Sequence, residues 1–434
     1  MLSLLLTIAP ACGGDAVAED SGAGGEGSGS ASSTTEAGSS TTSLDTTTSS
    51  STDAGSDSTT AASTGSSSDE GTSSSGGTTE SRACPDGVEL VGLASTCVSH
   101  PVTLDPQPAY DVFGAWGLEG IMVSNDTGVS QYREVDGDFV EVSTVPLPGH
   151  GQDIAAVYFY AREKIPGRKE LITRLLVTVP DADRLAVVAV DESGLLTTAS
   201  LLETGARPMG VGWLWDFEFL ITVTANADDG TLSLFREQGP GALVHAATLD
   251  VGGTPRAVAA NDQHIGVVDT LASTLTILSL DGLEIDQTNT IEVPAGPVSV
   301  FPMTGSDVGP PLFAVVSRDA DVVTLFRVDD GSEFSSGDFP GGPSRAVIAN
   351  AFWPPGALDE GQFWTGALAM TNTSSITIGM HGTGKGSPSL DRILGTFPTG
   401  DNPVSLALAD TNDDGRGDFL TASPTSGLTV VVQQ

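Results

Sequence analysis

From residue 99 onward, the chain repeats short runs of alternating apolar and polar residues, separated by Gly, Pro, Asn and Asp. Such alternation is typical of β-strands with one buried face, and no stretch shows the 3.6-residue periodicity of a sustained helix. The recurring unit is a run of small and β-branched residues, a polar turn and a second alternating run, which predicts a β-hairpin. Seven copies of this unit occupy residues 121–137, 176–194, 221–239, 266–282, 314–331, 367–384 and 419–434.

A second signal precedes the hairpins: a proline followed by a short strand of small and aliphatic residues. The prolines that begin this signal are Pro208, Pro255, Pro297, Pro343 and Pro403. Segments 112–117 and 152–157 fill the same place in the first two units. A repeat of about 45 residues with four strands is typical of a propeller blade. The longest repeat contains a Pro-, Gly- and Trp-rich insertion at 352–363, which we expect to be a surface loop.

These patterns predict an all-β fold, a seven-bladed β-propeller over residues 99–434. The last unit contains an inner strand at 404–409 and a hairpin, but no outer strand. We expect residues 97–104 to pair with that unit and close the ring. Closure matters because an unpaired sheet edge invites aggregation.

The chain before this domain has a different composition. Residues 13–82 contain no Phe, Trp, Tyr, Ile, Met or Pro and are mostly Ser, Thr, Gly, Ala, Asp and Glu. Such a segment cannot bury enough apolar surface to offset the entropy of ordering it. We therefore expect a disordered stalk, followed by a Cys-bounded segment at 83–98.

The N-terminal residues 1–12 are typical of an export signal. The apolar run 4–11 is too short to span a bilayer as a helix, but it fits the apolar region of a secretory signal. The sequence Ala9-Pro10-Ala11-Cys12 resembles the lipobox of bacterial lipoproteins, which implies a lipid on Cys12. Ala9 and the missing basic residues depart from that pattern. They leave two alternatives, a plain secretory signal or a true start further upstream.

Two further cysteines, Cys84 and Cys97, complete the cysteine content of the chain. If Cys12 carries a lipid, they form an even pair that an oxidising compartment would allow to become a disulfide. Two free thiols are the alternative.

One loop has the chemistry of a metal site. In residues 410–418, oxygen side chains fall at Asp410, Asn412, Asp414 and Asp418, and Gly415 permits a sharp turn. Ca²⁺ prefers six to eight oxygen ligands, and the Arg416 carbonyl would add one more to this set. The spacing therefore predicts a Ca²⁺ loop; a solvated acidic turn is the alternative.

This loop and the strands around it, residues 404–432, resemble the FG-GAP/VCBS repeat family. The resemblance implies a seven-bladed propeller with structural Ca²⁺ loops, as in the integrin α-subunit head. The other six hairpins match only the strand part of the motif, so no Ca²⁺ is implied there. The hairpins are also similar to YVTN/lactonase-type propeller repeats, which include enzymes.

The net charge and the absence of certain sequence motifs reduce the number of possible functions. The formal net charge is −39, and about −29 remains outside the stalk, so binding to nucleic acid through phosphate neutralisation is excluded. The domain contains no Gly-x-Ser-x-Gly elbow and no histidine pair at metal-ligand spacing.

We therefore expect a non-catalytic, monomeric binding module, secreted or displayed at the cell surface as a lipoprotein, with a protein or glycan partner. It would contact the membrane only through its lipid. A lactonase-like secreted enzyme and a scaffold subunit of an envelope assembly are the alternatives. Three or more Asp, Glu, His or Arg converging in the central channel would favour the enzyme, and a flat apolar patch would favour binding.

Overall fold

A computed structural model describes residues 97–102, 108–114, 120–165, 168–216, 219–239, 241–261, 264–281, 283–303, 311–348, 364–371, 375–382, 392–411 and 418–433. The stalk, Cys12, Cys84, the insertion at 352–363 and most of the acidic loop lie outside these residues. The described residues form β-strands and one short 3-10 turn, Pro180–Ala182. None of the helical structure in them is long and apolar enough to cross a membrane.

The strands form seven four-stranded antiparallel sheets, which we number in chain order. The first strand along the chain, β1, spans Cys97–Val102. Sheet 1 contains β2 (Ala109–Gly114), β3 (Ile121–Asn125), β4 (Gly128–Val135) and β5 (Asp138–Pro146). Sheet 2 contains β6 (Ile154–Ile165), β7 (Arg168–Val179), β8 (Arg184–Val190) and β9 (Leu196–Glu203). Sheet 3 contains β10 (Pro208–Asp216), β11 (Phe219–Asn226), β12 (Thr231–Gly239) and β13 (Ala242–Asp250).

The remaining sheets repeat the same order. Sheet 4 contains β14 (Pro255–Asn261), β15 (His264–Asp269), β16 (Thr274–Asp281) and β17 (Glu284–Glu292). Sheet 5 contains β18 (Pro297–Met303), β19 (Leu312–Ser317), β20 (Val322–Arg327) and β21 (Glu333–Asp338). Sheet 6 contains β22 (Pro343–Ile348), β23 (Trp364–Thr371), β24 (Ser375–Gly382) and β25 (Arg392–Pro398). Sheet 7 contains β26 (Ser405–Ala409), β27 (Asp418–Ser423) and β28 (Gly427–Gln433), with β1 as its fourth strand.

Every hairpin expected from the alternating runs is present, as the second and third strands of a sheet. The proline signal is also confirmed, because Pro208, Pro255, Pro297 and Pro343 each begin the first strand of a sheet. The first strand of sheet 1 differs from the expectation and starts at Ala109 rather than at residue 112. Pro108 lies directly before this start instead of being the first residue of the strand, so the sequence signal is shifted by one position there.

The segment expected to complete the last unit forms β1. It runs antiparallel to β28, with Cys97 opposite Gln433 and Val102 opposite Leu428. This strand ends two residues before the expected limit at residue 104. Sheet 7 therefore combines strands from the two ends of the described chain.

The apolar core lies between sheets rather than within them. Each described cluster of buried apolar residues joins two sheets that are neighbours in the chain or are the first and last. Ile121 and Val123 of sheet 1, for example, share a cluster with Leu420 and Val430 of sheet 7. A sheet with two apolar faces can be stable only when a neighbour covers each face.

Sheets 1 and 7 approach so closely that only glycine fits at one point. A Cβ atom at Gly114 would overlap the Ala409 Cβ and would lie 2.9 Å from the Leu420 Cδ1. The side chains of sheet 7 thus occupy the space that a larger residue would need.

Replacing Gly114 with alanine should therefore destabilise the fold, by about 1–3 kcal/mol in the free energy of unfolding, since the packed neighbours must move. Denaturant titration of the wild type and the variant measures the difference. Gly239→Ala is the matched control, because a Cβ there would meet no atom within 4 Å. Equal losses in both variants would contradict tight packing between sheets 1 and 7.

Candidate functional site

A cavity of about 260 Å³ lies where the first strands of the sheets meet, and we call it the channel cavity. Residues in or directly beside each of the seven sheets contribute to its wall. The lining residues, from sheet 1 to sheet 7, are Tyr110, Gln152, Asp153, Met209, Gly210, Arg256, Ala257, Val298, Arg318, Ser344, Arg345, Val404 and Pro424. The first strands therefore surround a common space.

β-bulges direct side chains into this cavity. In sheets 1, 3, 4, 5 and 6, the register between the first two strands shifts directly after the first residue of the sheet. The residues skipped by the register line the cavity: Tyr110, Met209, Arg256, Val298 and the pair Ser344 and Arg345. Proline cannot donate a ladder hydrogen bond, so a bulge after it is expected, and a bulge re-aims the extra side chain.

The side chain that follows the bulge of sheet 1 and its counterparts in sheets 7 and 2 connect one sheet to the next. Ser405 of sheet 7 accepts a hydrogen bond from the Val112 amide of sheet 1 through Oγ, at 3.3 Å. Asp111 of sheet 1 accepts one from the Ile154 amide of sheet 2, at 2.6 Å. These side chains occupy equivalent positions, so sheets 7, 1 and 2 are joined by the same type of contact.

Asp153 extends the same pattern from sheet 2 to sheet 3. Its Oδ2 accepts a hydrogen bond from the Val211 amide at 2.8 Å. Its Oδ1 lies 3.1 Å from the guanidinium of Arg345 in sheet 6. Because sheets 2 and 6 are not consecutive, this ion pair joins distant parts of the chain across the channel cavity.

Asp111 is completely surrounded by protein, and its charge is poorly accommodated. Burial raises the pKa of Asp111 to about 7; the Arg345 charge lowers it and the Asp153 carboxylate raises it again. Ser405 donates its hydroxyl hydrogen bond to the other Asp111 oxygen. Burial opposes the charge of Arg345, but the carboxyls of Asp111 and Asp153 outweigh that effect and raise the pKa of Arg345. The three groups therefore hold one cation between two carboxyls, one of which can stay protonated near neutral pH.

Tyr110, which lines the cavity, belongs to a contiguous group of aromatic and acidic side chains, and we call this group the rim. The Tyr110 hydroxyl donates a hydrogen bond to Asp126 at 2.6 Å, and this contact raises the pKa of Tyr110 to about 12. His150 lies with its Nδ1 2.5 Å from Asp181 and its ring centroid 4.9 Å from that of Tyr110. All four side chains thus have a partner within the rim.

The opposite side of the cavity is cationic. Arg256 and Arg318 both line it, from sheets 4 and 5. Arg318 contacts Asp319 through Nε at 3.4 Å. Apart from the Asp153–Arg345 ion pair, the cationic and acidic groups therefore lie at different parts of the cavity.

The predicted Ca²⁺ loop lies at the other end of sheet 7. Val404 lines the channel cavity, and β26 runs from there to Ala409, which pairs with Asp418. Asp410 and Asp418 therefore flank a connection between neighbouring strands. Asp418 is buried and accepts a hydrogen bond from the Thr411 amide at 2.9 Å.

The rest of the predicted ligand set, Asn412, Asp414 and Arg416, lies outside the described residues. Among the residues that are described, no group of three or more His, Cys, Asp or Glu side chains could hold a metal ion. The oxygen chemistry of Asp410 and Asp418 and their closeness along the hairpin fit a Ca²⁺ loop, which stays a prediction.

Sequence reasoning did not identify the channel cavity. Five of the lining residues that it missed directly follow the recurring prolines: Met209, Arg256, Val298, Ser344 and Val404. The signal was available, because a proline at the first position of a strand makes a bulge at the next residue favourable.

The raised pKa of Asp111 predicts a pH dependence of stability. Between about pH 4 and pH 7 the folded state binds this proton and the unfolded state does not, so stability falls as pH rises from about 4 to about 7 and levels off above that. Asp111→Asn keeps an acceptor for the Ile154 amide and removes the charge. We expect the variant to gain on the order of 1–3 kcal/mol relative to wild type on going from pH 5 to pH 8.

Denaturant midpoints at both pH values measure this difference. Asp281→Asn, at an exposed hairpin end, is the matched control and should follow the wild type. A constant offset between Asp111→Asn and wild type at both pH values would contradict the assignment of the proton to this cluster.

Comparisons with known proteins agree with the architecture. No protein-family model and no curated protein matches the sequence. Solved structures do match: BBS1N in complex with ARL6DN (TM-score 0.53, 12% identity, covering 77% of this chain and 95% of that one) is one example. The WD40 β-propeller domain of Doa1 is another (TM-score 0.51, 11% identity, 77% and 95% covered), and a chain of the mitotic checkpoint complex is a third (0.50, 10%, 77% and 92%). At such identities the likeness concerns the fold alone, and the fold of this chain is an all-β propeller.

Proposed function

We propose that the protein is an exported, non-catalytic binding module whose protein or glycan partner docks at the channel cavity. The observation that supports this most directly is the convergence of all the sheets on one solvent-accessible cavity with charged walls. Propeller folds host many functions, so the site rather than the fold indicates what the protein does. Two of the structurally similar proteins occur in complexes, which is compatible with a binding role.

The hydrogen bonds of the acidic groups favour binding over catalysis. Asp153 is engaged through both oxygens, and Asp111 is buried behind the cavity wall. A general base needs a free oxygen within reach of a substrate proton. In the described part of the cavity, the Ser344 hydroxyl donates to the Pro403 carbonyl, so it is not paired with a base that would activate it.

A secreted enzyme is the second candidate, and one observation favours it. Four charged residues, Asp153, Arg256, Arg318 and Arg345, converge on the cavity. This meets the expectation for an enzymatic channel. The contacts of Asp153 and Arg345 account for two of the four as structural, which is why binding is the first candidate.

We also propose that the seven sheets are the seven blades of a closed ring. The pairing of β1 with β28 supports closure by the N-terminal strand. The shared cluster and the Ser405 contact between sheets 7 and 1 support it as well. A monomeric ring of this kind needs no second chain to cover a sheet edge.

The support for export and tethering comes from the sequence alone. We propose that Cys12 carries a lipid, that residues 13–82 are a stalk, and that Cys84 and Cys97 form a disulfide. The composition of the stalk and the lipobox-like residues support this. The mass of the mature N-terminal peptide from exported protein distinguishes a lipidated Cys12 from a plain cleaved signal.

The Ca²⁺ loop at 410–418 is proposed as a structural element rather than as part of the docking site. It lies at the end of β26 that is remote from Val404 and the cavity. Its role would be to fix the connection between β26 and β27, both of which pack in sheet 7.

Chelation should therefore lower the thermal midpoint of the full chain. At a Ca²⁺ concentration of about 100 times the dissociation constant, the bound ion contributes about 2.7 kcal/mol. Asp414→Ala should show the same loss without chelator and little further change with it, in thermal melts with and without EGTA. Asp281→Ala, an exposed acid on another hairpin, should behave like the wild type. No shift on chelation would remove Ca²⁺ from the proposal.

Filling the channel cavity should abolish partner binding. Met209 lines the cavity from a bulge, so Met209→Trp would occupy space that a ligand needs. We expect wild-type protein on an array of defined surface glycans and peptides to bind a subset, and Met209→Trp to lose that subset. Val135→Trp, at an exposed strand end, is the matched control and should bind as wild type.

Mass spectrometry of the eluted ligands separates the two candidate functions. Unchanged ligand supports the binding module, and a converted ligand supports the enzyme. Binding that survives Met209→Trp would place the partner elsewhere on the protein.

A further inference from the structure

We propose that the cationic side of the channel cavity is a binding site for a carboxylate group, carried by an acidic sugar. This inference deepens the proposed function and rests on the cavity being the docking site. It adds the chemical class of the ligand and the residue that recognises it.

Arg256 is the centre of the site. It is the bulged residue after Pro255, it lines the cavity, and it is accessible to solvent while protein surrounds it on several sides. No described residue provides it with a hydrogen bond or an ion pair. Burial lowers the pKa of Arg256, and the positive charges of Arg318 and Arg207 lower it further. A guanidinium in this environment lacks the anion that such a group normally binds.

The neighbouring arginines are only partly neutralised. Arg318 uses its Nε for Asp319, which leaves the terminal nitrogens without a described partner. Arg207 contacts Asp228 at 3.2 Å through one terminal nitrogen. An anion between Arg256 and Arg318 would replace a repulsion with two charge-assisted contacts, and a planar guanidinium suits a carboxylate in particular.

The composition of the chain makes this grouping unusual. The protein carries 56 acidic and 17 basic residues, and yet three arginines lie close together here. The acid in the cavity wall, Asp153, is already paired with Arg345. Although the protein has many carboxylates, none of those in the described residues forms an ion pair with Arg256.

Size and surroundings restrict the ligand. A cavity of about 260 Å³ is below the usual range for drug-sized ligands, so it suits a single sugar unit rather than a threaded chain. Gln152 and Ser344 offer polar atoms, and Met209 and Val298 offer apolar surface. Acidic side chains of the rim, including Asp126 and Asp181, would repel a polyanion. A terminal sugar acid with one carboxylate fits the cavity volume, the mixed polar and apolar lining, and the need for a low negative charge.

The test is a titration of the full chain by calorimetry with D-glucuronate, D-glucose and N-acetylaspartate as probes. We expect glucuronate to bind, and glucose, which has the same ring without the carboxylate, to bind at least 10-fold more weakly. Arg256→Gln should lower glucuronate affinity at least 10-fold, which corresponds to about 1.4 kcal/mol. Arg256→Lys should retain part of the affinity, and the affinity should fall with added salt.

Arg174→Gln is the control for the loss of one positive charge, since Arg174 lies on β7 and does not line the cavity. It should bind glucuronate as wild type does. Thermal melts of both variants establish that they fold. A further probe is an oligosaccharide that ends in glucuronate. If the ligand is a glycan terminus, this oligosaccharide should bind at least as well as free glucuronate. If the ligand is a free metabolite, only free glucuronate should bind.

Several results would overturn the inference. One is the absence of binding heat with glucuronate up to about 10 mM, a concentration that would detect a millimolar dissociation constant. The others are equal affinity for glucose and glucuronate, and unchanged glucuronate affinity in Arg256→Gln. Tighter binding of N-acetylaspartate than of glucuronate would replace the sugar with an acidic peptide. If Met209→Trp abolishes binding of an uncharged array ligand, the proposed docking site stands and only the carboxylate assignment fails.

Discussion

The structure depends on one constraint: a four-stranded sheet with two apolar faces cannot cover either face by itself. The buried residues therefore gather between sheets, as the cluster of Ile121, Val123, Leu420 and Val430 shows for sheets 1 and 7. Each sheet is stabilised by its neighbours, and the first sheet by the last. Such an arrangement brings all the first strands together around one axis, where little room remains for side chains.

This crowding explains the residues of the first strands. Where β10 and β14 approach, a Cβ at Gly210 would lie 3.0 Å from the Ala257 Cα, so small residues are required. Elsewhere the strands are joined by side chains that accept a hydrogen bond from the next sheet, as Asp111 and Asp153 do. Larger side chains leave the crowded layer through bulges and enter the cavity. The functional surface is thus a consequence of how the sheets pack.

Much of this architecture could be predicted from the sequence, because it is encoded locally. Alternation of apolar and polar residues marks each hairpin, and Pro208, Pro255, Pro297 and Pro343 mark the first strands. The acidic loop at 410–418 is also a local pattern, since its ligands follow one another along the chain. Where this mark is shifted, as at Pro108, which precedes β2 instead of beginning it, the predicted boundary was displaced.

The channel cavity could not be predicted in the same way, because its residues come from every sheet. Arg345 and Asp153 are separated by 192 positions, and only the packing of the sheets around a common cavity brings them together. The register shift after Pro255 directs Arg256 inward, but its meaning depends on which charges the neighbouring sheets contribute. The proline in the sequence indicates that the next side chain enters the channel. Whether a charged side chain there has an ion-pair partner depends on the residues that the neighbouring sheets place beside it.

The two cationic elements of the cavity illustrate this difference. Arg345 and Arg256 occupy corresponding bulges of sheets 6 and 4, and both lie among charged groups. Arg345 lies between two carboxyls that raise its pKa, so it is held in place and joins distant sheets. Arg256 lies near two other arginines and has no ion-pair partner among the described residues, so it forms no such contact between sheets. A cationic side chain without such a contact, positioned by the fold in an accessible cavity, is the group that we propose as the contact for an anion.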